Sequence, residues 1–191
     1  SFAANAAYTP NAGQTVLRAS YGEGFKAPSL YQLHSTYGNL ALKPESAKSW
    51  EVGLAQKLLD GRMQIGVTGF RRTTRNLINL VSCFGNSAPL CTGFNFGYYD
   101  NVGVTLAKGI EAELKLRPVD ALAFDFSYSH VQAQDRATGQ DLLRRPRTRA
   151  YAGMDYTWPC GLNTGASVSL QGESADVDDF GARVQNDGYA L

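Results

Sequence analysis

Leu122-Ala123-Phe124-Asp125-Phe126-Ser127-Tyr128-Ser129 places apolar side chains at its even positions and Asp125, Ser127 and Ser129 between them. Side chains that alternate with period two belong to a β-strand whose faces meet different surroundings. The same parity recurs in Ile110, Ala112, Leu114 and Leu116 against Glu111, Glu113, Lys115 and Arg117. It recurs again in Ala150, Ala152, Met154, Tyr156 and Trp158, and in Thr164, Ala166, Val168 and Leu170. Earlier runs are noisier but compatible: Leu17, Ala19 and Tyr21; Trp50, Val52 and Leu54; Met63, Ile65 and Val67.

The connections between these runs alternate in length. Short ones fall at Pro10 to Gly13, Asp60-Gly61, Pro118 to Ala121 and Pro159 to Leu162, with Gly, Pro, Asn or Asp where tight turns need them. Longer ones fall at about 23–46, 81–92, 135–143 and 173–187. Tight turns on one rim and long loops on the other describe an antiparallel up-and-down transmembrane β-barrel. The run from about Phe94 to Arg117 also exceeds the length usual in soluble strands. A soluble β-sandwich would alternate too, but has no reason to sort its loops by rim.

Charge decides which face meets lipid. Arg18, Glu51, Lys57, Glu111, Glu113, Lys115, Arg117, Asp125, Arg149 and Asp155 all fall on the polar parity. A Lys or Arg facing lipid at the midplane costs about 2–4 kcal/mol, so this parity faces the lumen. Lys108 and Asp100 break the parity of their run and are expected above the bilayer or at its boundary.

Composition agrees. The 191 residues include 20 Gly and 11% aromatics, a mixture that favours strands and turns over a helical bundle. Eighteen basic against 17 acidic side chains leave no basic excess for nucleic acid. The mean hydropathy of -0.26 excludes a helical membrane protein and leaves barrels open, since alternation averages to a soluble-looking value. The longest uncharged stretch, Asn76 to Tyr99, is too rich in Asn, Ser, Gly and Thr to span as a helix. No targeting signal opens the chain, Ser1-Phe2-Ala3-Ala4 already reads as strand, and a new strand starts at Tyr189, so an internal fragment is expected.

Tyr21-Gly22-Glu23-Gly24-Phe25-Lys26-Ala27-Pro28-Ser29-Leu30 resembles the barrel segment of TonB-dependent outer-membrane receptors. Three further phrases follow in that family's order: Gly38-Asn39-Leu40-Ala41-Leu42-Lys43-Pro44-Glu45 leading to Trp50-Glu51; Asn101-Val102 with Lys108-Gly109-Ile110-Glu111-Ala112; and Leu142-Leu143-Arg144-Arg145-Pro146. The second and fourth phrases are similar in wording to the vitamin B12 (cobalamin) receptors; siderophore and haem receptors share the first and third. The resemblance implies that residues 1–191 are part of the C-terminal β-barrel domain, about eight strands of a barrel of about 22. It implies that the plug domain and the closing strands are absent from this stretch. The implied location is the bacterial outer membrane, and the implied function TonB-dependent uptake of a scarce nutrient, with cobalamin as the main reading and a siderophore or haem as the alternative. The implied partners are outer-membrane lipid, the nutrient, and TonB through the plug segment.

Cys83 and Cys91 flank a short stretch of a predicted extracellular loop, where an oxidising location and close spacing favour a disulfide. Cys160, in the opposite turn, reads as a lone thiol. Tyr31, His34, Tyr37, Phe84 and Phe94 are loop candidates for gripping a bulky ligand, because aromatics give contact area at low entropic cost. Phe25 to Pro28 read as a loop stem. Asp176, Asp178 and Asp179 lack the spacing of a calcium loop and read as a solvated loop. No nucleophile–base pair, metal motif or phosphate-cradling loop is present, so no enzyme, metal or cofactor is expected. An outer-membrane hydrolase and a complete small barrel adhesin or structural protein are the alternatives of another class.

Overall fold

The computed structural model describes residues 1–83, 89–93, 96–177 and 183–191. Its wall is a nine-stranded antiparallel sheet in which neighbours in space are neighbours in the chain, apart from two hairpins set aside in loops. The wall strands are β1 (Ala3–Tyr8), β2 (Thr15–Lys26), β3 (Glu45–Leu58), β4 (Met63–Arg75), β7 (Val104–Val119), β8 (Leu122–Asp135), β9 (Thr148–Thr157), β10 (Asn163–Gln171) and β13 (Tyr189–Ala190). The hairpins are β5 (Ile78–Ser82) with β6 (Gly97–Asn101), and β11 (Ser174–Val177) with β12 (Arg183–Asn186).

One rim carries tight turns. Asn11-Ala12-Gly13 and Leu59-Asp60-Gly61 each run through three residues at positive φ, ending on Gly at +82° and +87°. Asp120-Ala121 closes β7 onto β8, with Val119 opposite Leu122. The other rim carries the connections 27–44, 76–103, 136–147 and 172–188. The loop boundaries read from sequence shift accordingly, because β2 continues to Lys26 and the fourth strand to Arg75.

One expectation is corrected. The stretch from about Phe94 to Arg117 is two strands, β6 and β7, with Gly103 at φ +75° between them. That left-handed turn directs β6 away from the wall to pair with β5, which explains why Asp100 broke the wall's parity. β7 alone still has 16 residues, enough to cross a tilted bilayer with length to spare.

The register assembles each face row by row. Tyr8, Leu17, Leu54, Val67, Ala112, Tyr128, Ala150, Leu170 and Ala190 lie opposite one another across all nine strands. The next rows on this face include Leu114, Phe126, Ala152 and Val168, then Leu116, Phe124, Met154 and Ala166. The opposite face carries Arg18, Gly53, Thr68, Glu111, Ser129, Arg149 and Gln171 in one row. Glu113 faces Ser127 and Lys115 faces Asp125 in the following two rows.

Aromatic rings bracket the apolar face. Tyr156 and Trp158 stack edge-on at 4.9 Å near the tight-turn rim, and Tyr21 pairs with Trp50 near the long-loop rim. The Trp50 row reaches β8 at Gln132 and the Tyr156 row at Leu122. These rows stand about 34 Å apart along the strand, or about 26 Å along the membrane normal at a tilt of about 40°. That matches the height of an outer-membrane apolar band between its girdles.

Phe126 stands near mid-band, and Phe126→Arg places a cation in hydrocarbon at about 2–4 kcal/mol, whereas Ser127→Arg points into the lumen opposite Glu113. In the full-length protein, heat-modifiable gel mobility is expected to show severely reduced assembly for the first variant and near-normal assembly for the second. Equal assembly of the two contradicts the assignment of faces.

Candidate functional site: the outer loop assembly

Because neither face of the wall is covered by protein of this chain, the buried side chains gather elsewhere. Among the described residues, Leu42, Ile78, Tyr98 and Leu106 are buried, together with Ala175 and the carboxylate-bearing Glu45. All lie in the long-loop rim or in the strand ends that enter it.

Loop 27–44 opens with a helical turn, α1 (Leu30–His34). The Ser29 hydroxyl accepts from the Gln32 backbone N–H at 3.2 Å, and the Gln32 side-chain oxygen accepts from the Ser29 N–H at 2.9 Å. This reciprocal cap satisfies amides that a five-residue helix leaves free. The chain then folds back so tightly that a Cβ on Gly38 would sit 2.5 Å from the Leu33 carbonyl oxygen, so only glycine fits.

Beyond Gly38 the loop is fastened to the β5–β6 hairpin. The Asn39 amide donates to the Tyr99 carbonyl at 3.0 Å, and the Tyr99 N–H donates to the Tyr37 carbonyl at 2.8 Å. Asn101 accepts from the Lys43 N–H at 2.7 Å and donates to the carbonyls of Lys43 at 2.9 Å and Asn76 at 2.8 Å. Glu45 Oε1 accepts from the Ile78 N–H at 3.1 Å and from Lys26 Nζ at 3.3 Å. Tyr31 meets Tyr99 edge-on at 6.2 Å. Cys83 and Cys91 are joined beyond the end of this hairpin, with Cα atoms 5.3 Å apart.

The candidate ligand residues therefore divide. Tyr31 and His34 are exposed on α1, and Tyr37 is half-buried where the loop meets the hairpin. Phe84 and Phe94 lie outside the described residues, as do Asp178 and Asp179. Tyr99 was missed from sequence because it sat in a run read as wall; its contacts cross 60 residues of chain and leave no local pattern.

A second loop group joins 136–147 to the β11–β12 hairpin. Arg144, at φ 58°, donates its backbone N–H to the Ala175 carbonyl at 2.7 Å and its Nε to Asp176 at 3.0 Å. Asn186 also donates to Asp176, at 3.2 Å, so that carboxylate is engaged by side chains. Arg147 Nε donates to Asp141 at 2.9 Å, and Arg183 donates to the Asp141 carbonyl. A polar cavity between the two segments is lined by His130, Asp141, Arg145, Arg147, Glu173 and Gln185. Arg145 is exposed and makes no ion pair among the described residues. Among the described residues no group of three or more His, Cys, Asp or Glu is placed to hold a metal ion. Cys160 is an exposed free thiol on the opposite rim.

Asn101→Ala removes three hydrogen bonds that hold loop 27–44 to the hairpin. The expected loss is about 2–3 kcal/mol of local stability. Hydrogen exchange of the full-length protein should quicken at residues 39–45 and 97–101 and stay unchanged along β8 and β9. Uniform protection in both regions contradicts the anchoring role.

The family model for TonB dependent receptor-like β-barrels matches residues 1–191. Among solved structures, the ferric enterobactin receptor PfeA of Pseudomonas aeruginosa, in complex with enterobactin, aligns over 98% of this chain and 31% of its own, with TM-score 0.79 and 23% identity. The ferripyoverdine receptor of the Pseudomonas aeruginosa outer membrane aligns over 99% of this chain and 25% of its own, with TM-score 0.75 and 21% identity. The chain thus spans between a quarter and a third of these receptors, and at such identities the likeness is one of fold. Matched along its whole length, and built as a two-faced wall with long loops on one rim, the chain belongs to the TonB-dependent receptor β-barrels of the bacterial outer membrane.

Proposed function

We propose that this wall and its loops serve TonB-coupled uptake of a ferric siderophore by the receptor they form part of. The observation that carries the reading is the basic outer loop 136–147, with four arginines and one aspartate, in which Arg145 is left exposed beside a polar cavity. Such a surface suits an anionic iron chelate better than a corrinoid of little net charge. The fold shared with the enterobactin and ferripyoverdine receptors supports the same direction.

The comparisons lend no support to the cobalamin subfamily. The wording that suggested it has a structural explanation: Gly38, Asn39 and Glu45 fasten loop 27–44, and Arg144 fastens loop 136–147. Residues that hold loops in place report the architecture of the rim, and a siderophore receptor needs the same anchors. Tyr31, His34 and Tyr37 stand in this reading as contacts for the ligand's apolar portions. TonB would act through the plug, which the family's layout assigns to another part of the receptor.

Tryptophan fluorescence of the full-length receptor, titrated with ferric enterobactin, ferripyoverdine and cyanocobalamin, tests the reading. Saturable quenching by a ferric chelate and none by cyanocobalamin is expected, with Arg145→Ala weakening the chelate by about tenfold for one lost charge-assisted contact. Uptake of the chelate should cease when the tonB gene is deleted. Tight cyanocobalamin binding with neither chelate bound contradicts the siderophore reading and leaves the family standing.

A further inference from the structure

We infer that the cavity between loop 136–147 and the β11–β12 hairpin holds a hydroxy-acid group on the periphery of the chelate, so that the receptor selects open-chain ferric siderophores over their ring-closed ester forms. The juxtaposition that carries this is Arg145 with Glu173, a free cation and a free carboxylate lining the same cavity. The inference rests on the siderophore reading above and names the class of chelate within it.

The cavity measures about 410 Å³, at the small end for ligand sites, and so takes a peripheral group in place of a whole iron chelate. Asp141, Arg145, Arg147 and Glu173 are the Asp, Glu and Arg side chains that line it. Asp141 and Arg147 are spent on each other, with Arg147 Nε donating at 2.9 Å. Glu173 Oε2 accepts from the Gln185 amide at 3.1 Å, and no described residue donates to its Oε1. Arg145 makes no ion pair among the described residues. One cation and one carboxylate therefore remain for a ligand.

A purely anionic group gains at Arg145 and is repelled by Glu173; a purely cationic group meets the reverse. A group that presents a carboxylate together with a hydroxyl donor satisfies both. The cavity is ordered in advance. Asp141 bridges to Gln134, Arg183 donates to the Asp141 carbonyl, and Arg144 ties the loop to Ala175 and Asp176. Hydrolysis of an ester in a ring-closed siderophore creates this pair of groups, because water cleaves the acyl C–O bond into a carboxylate and a hydroxyl. In ferric enterobactin that cleavage leaves the catechols that hold iron unchanged, and the iron keeps the new ends close together.

Tryptophan fluorescence of the full-length receptor, titrated with ferric enterobactin and with its linear hydrolysis product, tests the inference. The linear form should bind about thirtyfold more tightly, at about fivefold for each of two charge-assisted contacts. Ser174→Leu fills the cavity without changing charge and should abolish the preference. Glu173→Ala should weaken the linear form about fivefold, whereas simple attraction of its extra negative charge to the basic loop predicts strengthening. Equal binding of the two forms by wild type, a preference that survives Ser174→Leu, or tighter binding of the linear form by Glu173→Ala overturns the inference and leaves the siderophore reading standing. Binding of neither form overturns it as well, and ferripyoverdine and cyanocobalamin titrated in parallel then decide whether the siderophore reading falls with it.

Discussion

In the hydrocarbon layer no water is available to backbone N–H and C=O groups, so each must bond to a neighbouring strand. The continuous antiparallel pairing from β1 to β13 meets that demand along the wall, and the rest of the molecule is arranged around it. A wall so paired has two faces of opposite chemistry, which is why Glu111, Glu113, Lys115 and Asp125 share one side while Leu114, Leu116, Phe124 and Phe126 share the other. It also lacks a core of the usual kind, since neither face is covered by protein of this chain.

What resembles a conventional interior sits in the outer loops. Leu42, Ile78, Tyr98 and Leu106 are buried there, and Glu45, Asn39 and Asn101 satisfy backbone groups that leave the ladder. The division is physically required. A loop of 18 residues such as 27–44 would otherwise be dominated by its own entropy, and a binding surface gains affinity when its segments are ordered beforehand. The anchors hold Tyr31, His34 and Arg145 on supported chain, which is what the proposed uptake function would require of ligand contacts.

The wall was legible in the sequence because its two environments write a period of two into every strand, and because Asn11-Ala12-Gly13, Asp60-Gly61 and Pro159 to Leu162 mark its tight turns. The loops were legible only as gaps in that pattern. The β5–β6 hairpin was hidden in an apparent extension of β7, since one glycine at positive φ separates them and the residues on both sides alternate. The links Asn39–Tyr99 and Arg144–Asp176 depend on partners 60 and 32 residues apart, which no local period encodes. The phrases resembling cobalamin receptors marked the barrel family, and Gly38, Asn39, Glu45 and Arg144 within them anchor loops.

The claim on which the account stands is that one face of this sheet meets lipid and the other the lumen. Single spin labels placed at successive positions from Leu122 to Ser129 in the full-length receptor, reconstituted in bilayers, test it through collision with oxygen and with a water-soluble nickel chelate. Oxygen accessibility should peak at Leu122, Phe124, Phe126 and Tyr128 and nickel accessibility, where the lumen admits the chelate, at the positions between. Oxygen accessibility that is uniform along the strand, or that repeats every three to four residues, would contradict it.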